Sequence, residues 1–198
     1  MKNHVIYYLF ITLNIIINSC SEGFKDEPVK YSSSVWELVA KQVDSDGFTD
    51  GTNELFDSNA RSTYLENEND SSSSTFMSIG NLTKSNYVSD GKYKFKLVWG
   101  GLEVDSDLST KEIIWTQTSW PTDSTVQGFQ EIGTSGYVDG SGTEFDGLMK
   151  SNSTRCVIDG NQGNYWFHCV GVIATWSGAM PGPKLKKASS MHLYIWTP

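Results

Sequence analysis

The chain has 198 residues, with 15 Lys and Arg against 23 Asp and Glu, a formal net charge of −8. That length suits one domain of ordinary size once a leader is removed. The acidic balance argues against duplex DNA or RNA as a partner, because binding a nucleic-acid backbone needs clustered Lys and Arg, and Lys184, Lys186 and Lys187 make only a local patch.

The N-terminus has the three parts of an export signal: a polar start with Lys2 and His4, an apolar run from Val5 to Ile17, and small residues at Ser19, Cys20 and Ser21. The apolar run is about 13 residues, short for a membrane span, which disfavours a signal anchor. Residues 1–21 therefore read as a signal peptide, and the mature chain is expected to be secreted and extracellular, with no membrane span. Ile17-Asn18-Ser19-Cys20 loosely matches a bacterial lipobox, so a surface lipoprotein anchored through Cys20 is an alternative. With the leader gone, 14 basic residues face 23 acidic, a net of −9. Residues 22–34 are polar, with Pro28 and Ser32-Ser33-Ser34, and read as a flexible lead-in to a domain over 35–198.

Val35 to Val43 is the first expected strand, β-branched and aromatic on both faces. Asp44 to Asp57 is acidic and glycine-punctuated, but Phe48 stands where an EF-hand needs its third ligand, so it reads as a solvated turn, with calcium unsupported by motif. No other metal or cofactor is expected. Arg61 to Glu66 allows one or two helical turns, and Asn67 to Thr75 is a low-complexity loop. Lys92 to Trp99 alternates cleanly, with Tyr93, Phe95, Leu97 and Trp99 on one face and Lys92, Lys94 and Lys96 on the other, as in a half-buried antiparallel strand.

Lys111 to Thr118 is the next strand, closed by a turn at Ser119 to Asp123 that contains Pro121. Val126 to Ile132 reads as a short edge strand, and Gly133 to Gly142 as a mobile, glycine-rich loop. Phe145 to Met149, Arg155 to Ile158 and Tyr165 to Trp176 supply further strands. Ser177 to Lys187 reads as a rigid loop around Pro181-Gly182-Pro183. Met191 to Trp196 closes the chain, with Met191, Leu193 and Ile195 alternating against His192, Tyr194 and Trp196. The expected fold is mainly β: a single antiparallel β-rich domain, sandwich-like or a twisted sheet with long loops.

Cys156 and Cys169 flank the turn Asp159-Gly160-Asn161-Gln162-Gly163-Asn164. A hairpin centred between Gln162 and Gly163 would set the two cysteines opposite each other, and an oxidising compartment would pair them in a disulfide-linked hairpin. Three Asn-x-Ser/Thr sequons, at Asn69, Asn81 and Asn152, lie in polar stretches suited to glycosylation.

Catalytic candidates are few. Only His168 and His192 remain after leader removal, and His168 reads as a structural or exposed strand residue. The sequence has no nucleophile elbow, no H-E-x-x-H and no C-x-x-C. Glu131, Glu144 and Asp146 keep a polysaccharide-acting hydrolase open as an alternative. Trp and Tyr stack on sugar rings while Asp and Asn bind hydroxyls, so Asp159, Asn161, Asn164, Tyr165 and Trp166 are the candidate ligand-binding residues. For the set Trp115, Trp120, Trp166, Trp176 and Trp196, core filling is weighed against ligand stacking and outweighs it.

Taken together, Trp36-Glu37-Leu38-Val39-Ala40, IIWTQTSWPTDSTVQGFQEI, EFDGLMKSNSTRCVIDG, YWFHCVG, MPGP and HLYIW resemble the fibrinogen C-terminal-like modules of secreted cnidarian and molluscan matrix proteins, skeletal organic matrix proteins among them. The resemblance spans Val35 to Trp196. It implies a fibrinogen-like or lectin-like extracellular recognition or matrix protein, non-enzymatic, whose partner is a glycan or matrix component. The calcium loop and acetyl-group pocket of a full fibrinogen-like domain have no counterpart among these residues, so no ligand site carries over.

Overall fold

The computed structural model of the chain describes residues 35–44, 54–101, 111–135, 145–160, 168–183 and 186–198. The expected leader and lead-in therefore lie outside the described residues. Everything described belongs to one unit, Ser32–Pro198, and its architecture is antiparallel β, as the alternation predicts.

The longest described strands are four, and three of them, all but the first, carry period-two burial. They are β1 (Val35–Val43), β4 (Lys92–Gly100), β5 (Lys111–Gln117) and β12 (Ser190–Thr197). In β4 and β12 every second side chain is buried: Phe95, Leu97 and Trp99, then Met191, Leu193 and Ile195. Successive strand side chains face opposite ways, so this pattern makes one sheet face a core and leaves the other partly in water. The large sheet runs in the order β2-β1-β12-β4-β5-β6, with β2 at Thr75–Met77 and β6 at Gln130–Ser135, while β3 (Val88–Ser89) pairs with β4. The last strand thus sits between the first and the fourth.

A three-stranded sheet, β7 (Met149–Lys150), β8 (Cys156–Asp159) and β9 (Val170–Val172), covers the apolar face of the large one. Val157, Ile158, Val170 and Leu148 share a single apolar cluster with Phe95, Leu97, Trp99, Ile113, Trp115 and Leu193. Two buried glutamines join the layers. Gln117 on β5 accepts from the Leu148 N–H (2.9 Å) and donates to the Leu148 carbonyl (2.9 Å), and it also accepts from Trp115 Nε1. Gln42 on β1 accepts from the Val172 N–H (2.8 Å) and donates to the Val172 carbonyl (3.2 Å). Each side-chain amide thus satisfies a peptide of the opposite layer, which buried polar groups require. A two-stranded ladder, β10 (Met180–Pro181) with β11 (Lys187–Ala188), completes the strands.

Several expectations shift. The edge strand forms at Gln130–Ser135 and not at Val126–Ile132, because Gly128 turns at φ +64° and Thr118 N–H donates to the Gln127 carbonyl instead. Gly133 enters that strand beside a bulge at Ile114/Trp115. The first cysteine strand begins at Cys156, not Arg155, and the strand expected at Phe145–Met149 is confined to Met149–Lys150. The long run Tyr165–Trp176 yields only the strand Val170–Val172 among the described residues; His168 (φ +62°), just before it, takes left-handed backbone, as does Gly171 (φ +77°) within it. A Cβ on Gly171 would lie 2.9 Å from Val157 Cγ2, so the close approach also excludes larger residues. The Pro-Gly-Pro segment carries part of a ladder and is not purely loop. Among the described residues helix is limited to α1 (Ala60–Thr63) and short 3₁₀ turns.

The Cys156–Cys169 disulfide forms, with a Cα–Cα separation of 6.0 Å, and both cysteines are buried with Val172 and Met180. The pairing register is not the symmetric one. Cys156 faces Val172 and Ile158 faces Val170, so the bond links the head of β8 to the residue just before β9.

Candidate functional site

The second face of the large sheet holds the most distinctive surface chemistry. In register across the strands, Trp36 faces Trp196, Leu38 faces Tyr194 and Lys41 faces His192. On the other side of β12, Tyr194 faces Lys96 and His192 faces Val98; Ile195 opposite Phe95 sets Trp196 beside Lys94. The rows continue through Lys94 to Thr116 and Gln130, through Lys96 to Ile114 and Gly133, and through Val98 to Glu112. Aromatic and cationic side chains therefore alternate across three central strands. None of Trp36, Tyr194, Trp196, Lys94 or Lys96 belongs to either apolar cluster of the interior, and all are half-buried.

The two lysines bridge the rings. Lys94 Nζ lies 4.4 Å from the Trp196 ring centre and 5.4 Å from that of Trp36. Lys96 Nζ lies 4.7 Å from Tyr194 and 5.0 Å from Trp36. These are cation–π distances, and the contacts hold both ammonium groups at the ring faces. Trp36 and Trp196 meet edge to face at 5.2 Å. His192 stacks on Tyr194 at 6.4 Å, and burial, with Lys41 adding to it, lowers its pKa. The Lys41 ammonium is engaged elsewhere, donating to the Ser71 and Ser72 carbonyls at 2.8 and 3.0 Å.

At the end of the face, where β3 replaces β12 beside β4, a recess of about 420 Å³ is lined by Trp196, Lys94, Lys92, Thr116, Ser89, Asp90 and Tyr87. Burial and the neighbouring Glu37 carboxylate push the Tyr87 hydroxyl up to about 12. It therefore stays protonated and donates to Glu37 Oε2 at 3.0 Å.

Of the sequence-predicted ligand residues, Asp159 is buried at the end of β8, opposite Met149. Asn161, Asn164, Tyr165 and Trp166 lie outside the described residues. Asn69, Asn81 and Asn152 are all exposed. Trp115 and Trp120 fill the core, together with Trp99. His168 is fully buried between Trp99 and Phe145, at ring distances of 5.5 and 5.7 Å. Burial pulls its pKa down to about 3, so it is neutral at physiological pH. Asp44, expected in a solvated turn, is buried. Of the hydrolase carboxylates, Glu131 is exposed on the edge strand, Asp146 lies just before β7, and Glu144 falls outside the described residues.

Among the described residues, no group of three or more His, Cys, Asp or Glu side chains is gathered to hold a metal ion, and no helix is long and apolar enough to cross a membrane. Sequence reading missed the aromatic–lysine face as a unit. Its signals were the alternations of Lys92, Lys94, Lys96 and of His192, Tyr194, Trp196. No protein-family model matches the chain, and no curated protein matches it.

Proposed function

We propose that the protein is a secreted, non-enzymatic extracellular recognition or matrix protein that binds glycan through the aromatic face of its large sheet. The observation that carries this reading is the grouping of Trp36, Trp196 and Tyr194 in adjacent rows on a half-exposed β surface. Core tryptophans in this chain are almost wholly sequestered, with Trp99 and Trp115 at 0% exposure, so the two on this face are set apart from the packing role. Aromatic rings carried on paired strands offer stacking area at little entropic cost, while Thr116, Gln130 and the recess beside them supply hydroxyl-directed polar groups. The export-type N-terminus, the exposed sequons and the resemblance to fibrinogen C-terminal-like matrix modules agree with an extracellular setting.

A glycan array probed with the mature protein and with Trp196→Ala tests the reading. Binding to a defined glycan class that the variant loses is expected. An array with no bound glycan, obtained with folded protein, would overturn it.

A further inference from the structure

We infer that the ligand of this face is a polyanionic polysaccharide, bearing sulfate or uronate groups, and that Lys94 and Lys96 receive its charges; this rests on the glycan-binding reading and narrows it. The chain as a whole is acidic, at −8, yet the centre of the aromatic face carries two cations. Neither Lys94 nor Lys96 forms an ion pair with a described carboxylate. Among the described residues their charges are met by the faces of Trp36, Tyr194 and Trp196 at 4.4–5.4 Å.

Two ammonium groups two residues apart on one strand stand roughly 7 Å from each other along it. They are held over rings that would otherwise be open to sugar. A neutral glycan would have to displace both cations from the rings and leave them without a counter-charge. An anionic chain draws each ammonium to a sulfate or carboxylate by charge-assisted hydrogen bonds and so frees the ring for stacking. Asp90 and Lys92 stand at one margin of this pair, in the recess, and Glu112 stands at the other, opposite Val98.

Aromatic rings and lysines on a sheet also suit single-stranded nucleic acid. The export-type leader favours the polysaccharide, and the experiment separates the two.

The test is titration of the full mature protein with heparin, polygalacturonate, neutral dextran and single-stranded oligo(dT), at 50 and 200 mM NaCl. Heparin or polygalacturonate is expected to bind in preference to dextran and oligo(dT). Affinity should fall roughly five- to tenfold across that salt range, as for release of counterions by about two contacts. The double variant Lys94→Gln/Lys96→Gln should lose at least tenfold in affinity and most of the salt dependence, and Lys94→Arg/Lys96→Arg should keep both. Dextran bound as well as heparin, without salt dependence, would overturn this inference and leave the glycan reading standing. Tighter binding of oligo(dT) would overturn it in favour of nucleic acid, and polyanion binding unchanged in the Gln variant would overturn the role given to Lys94 and Lys96. No binding to any polymer would retire the glycan reading together with it.

Discussion

His168 makes the stability of this fold pH-dependent in a calculable way. The ring is fully buried between Trp99 and Phe145, and burial holds its pKa at about 3 against an ordinary 6.5. Between those values the unfolded chain binds a proton that the folded chain refuses, so stability rises with pH across the window and falls as pH drops through it. Each pH unit below 6.5 then costs about 1.4 kcal/mol. At pH 5 the loss is roughly 2 kcal/mol. His192, lowered in the same direction by its own burial, adds to the slope. Urea denaturation followed by tryptophan fluorescence at pH 7.5, 6.5, 5.5 and 5.0 measures it. His168→Asn serves as the control because Asn tolerates the left-handed backbone at φ +62° and does not titrate. The variant will be less stable at every pH, through the smaller side chain, but its dependence on pH should be shallower by the His168 share. Parallel pH profiles in wild type and variant would refute the reasoning.

Other consequences follow from the joints of the fold. Gln117→Met keeps the volume but leaves the Leu148 peptide and Trp115 Nε1 without their partner; a loss of about 3 kcal/mol or more is expected in urea unfolding, and one below about 1 kcal/mol would show that the amide does not join the layers. Gly171→Ala, with φ +77° and a Cβ 2.9 Å from Val157, should cost about 1–3 kcal/mol, read as a lowered Tm. The Cys156–Cys169 bond is buried and closes a short loop, so its removal should cost about 3 kcal/mol by loop entropy. Intact mass should show no free thiol at Cys156 or Cys169 before denaturation and reduction. In a eukaryotic host the same spectrum should report glycan at one or more of Asn69, Asn81 and Asn152.

The strands that were legible in the sequence are those whose burial is one-sided. Lys92–Trp99 and Met191–Trp196 alternate because one face meets the core and the other meets water, and they form at almost those limits. β2 was not legible: its three residues follow a serine run, and it forms by pairing with the distant Ala40, Lys41 and Gln42. The cysteine hairpin is offset from its symmetric register, with Cys156 facing Val172, and His168 and Gly171 take left-handed backbone; periodicity reveals neither. The candidate site was legible in halves. Both faces of β4 and of β12 could be sorted by alternation, so the lysines and the aromatics were each on view. That β12 inserts between β1 and β4, setting Trp36 and Trp196 against Lys94 and Lys96, is a long-range pairing that no local pattern encodes.

The most direct test of the aromatic face is a nitrogen–proton correlation spectrum of the indole region, recorded while heparin oligosaccharide is titrated into the mature protein. The Nε1 signals of Trp36 and Trp196, assigned by Trp→Phe variants, should shift progressively, while those of the buried Trp99 and Trp115 stay in place. Saturable binding that leaves Trp36 and Trp196 unmoved would contradict the proposal that this face is where ligand is received.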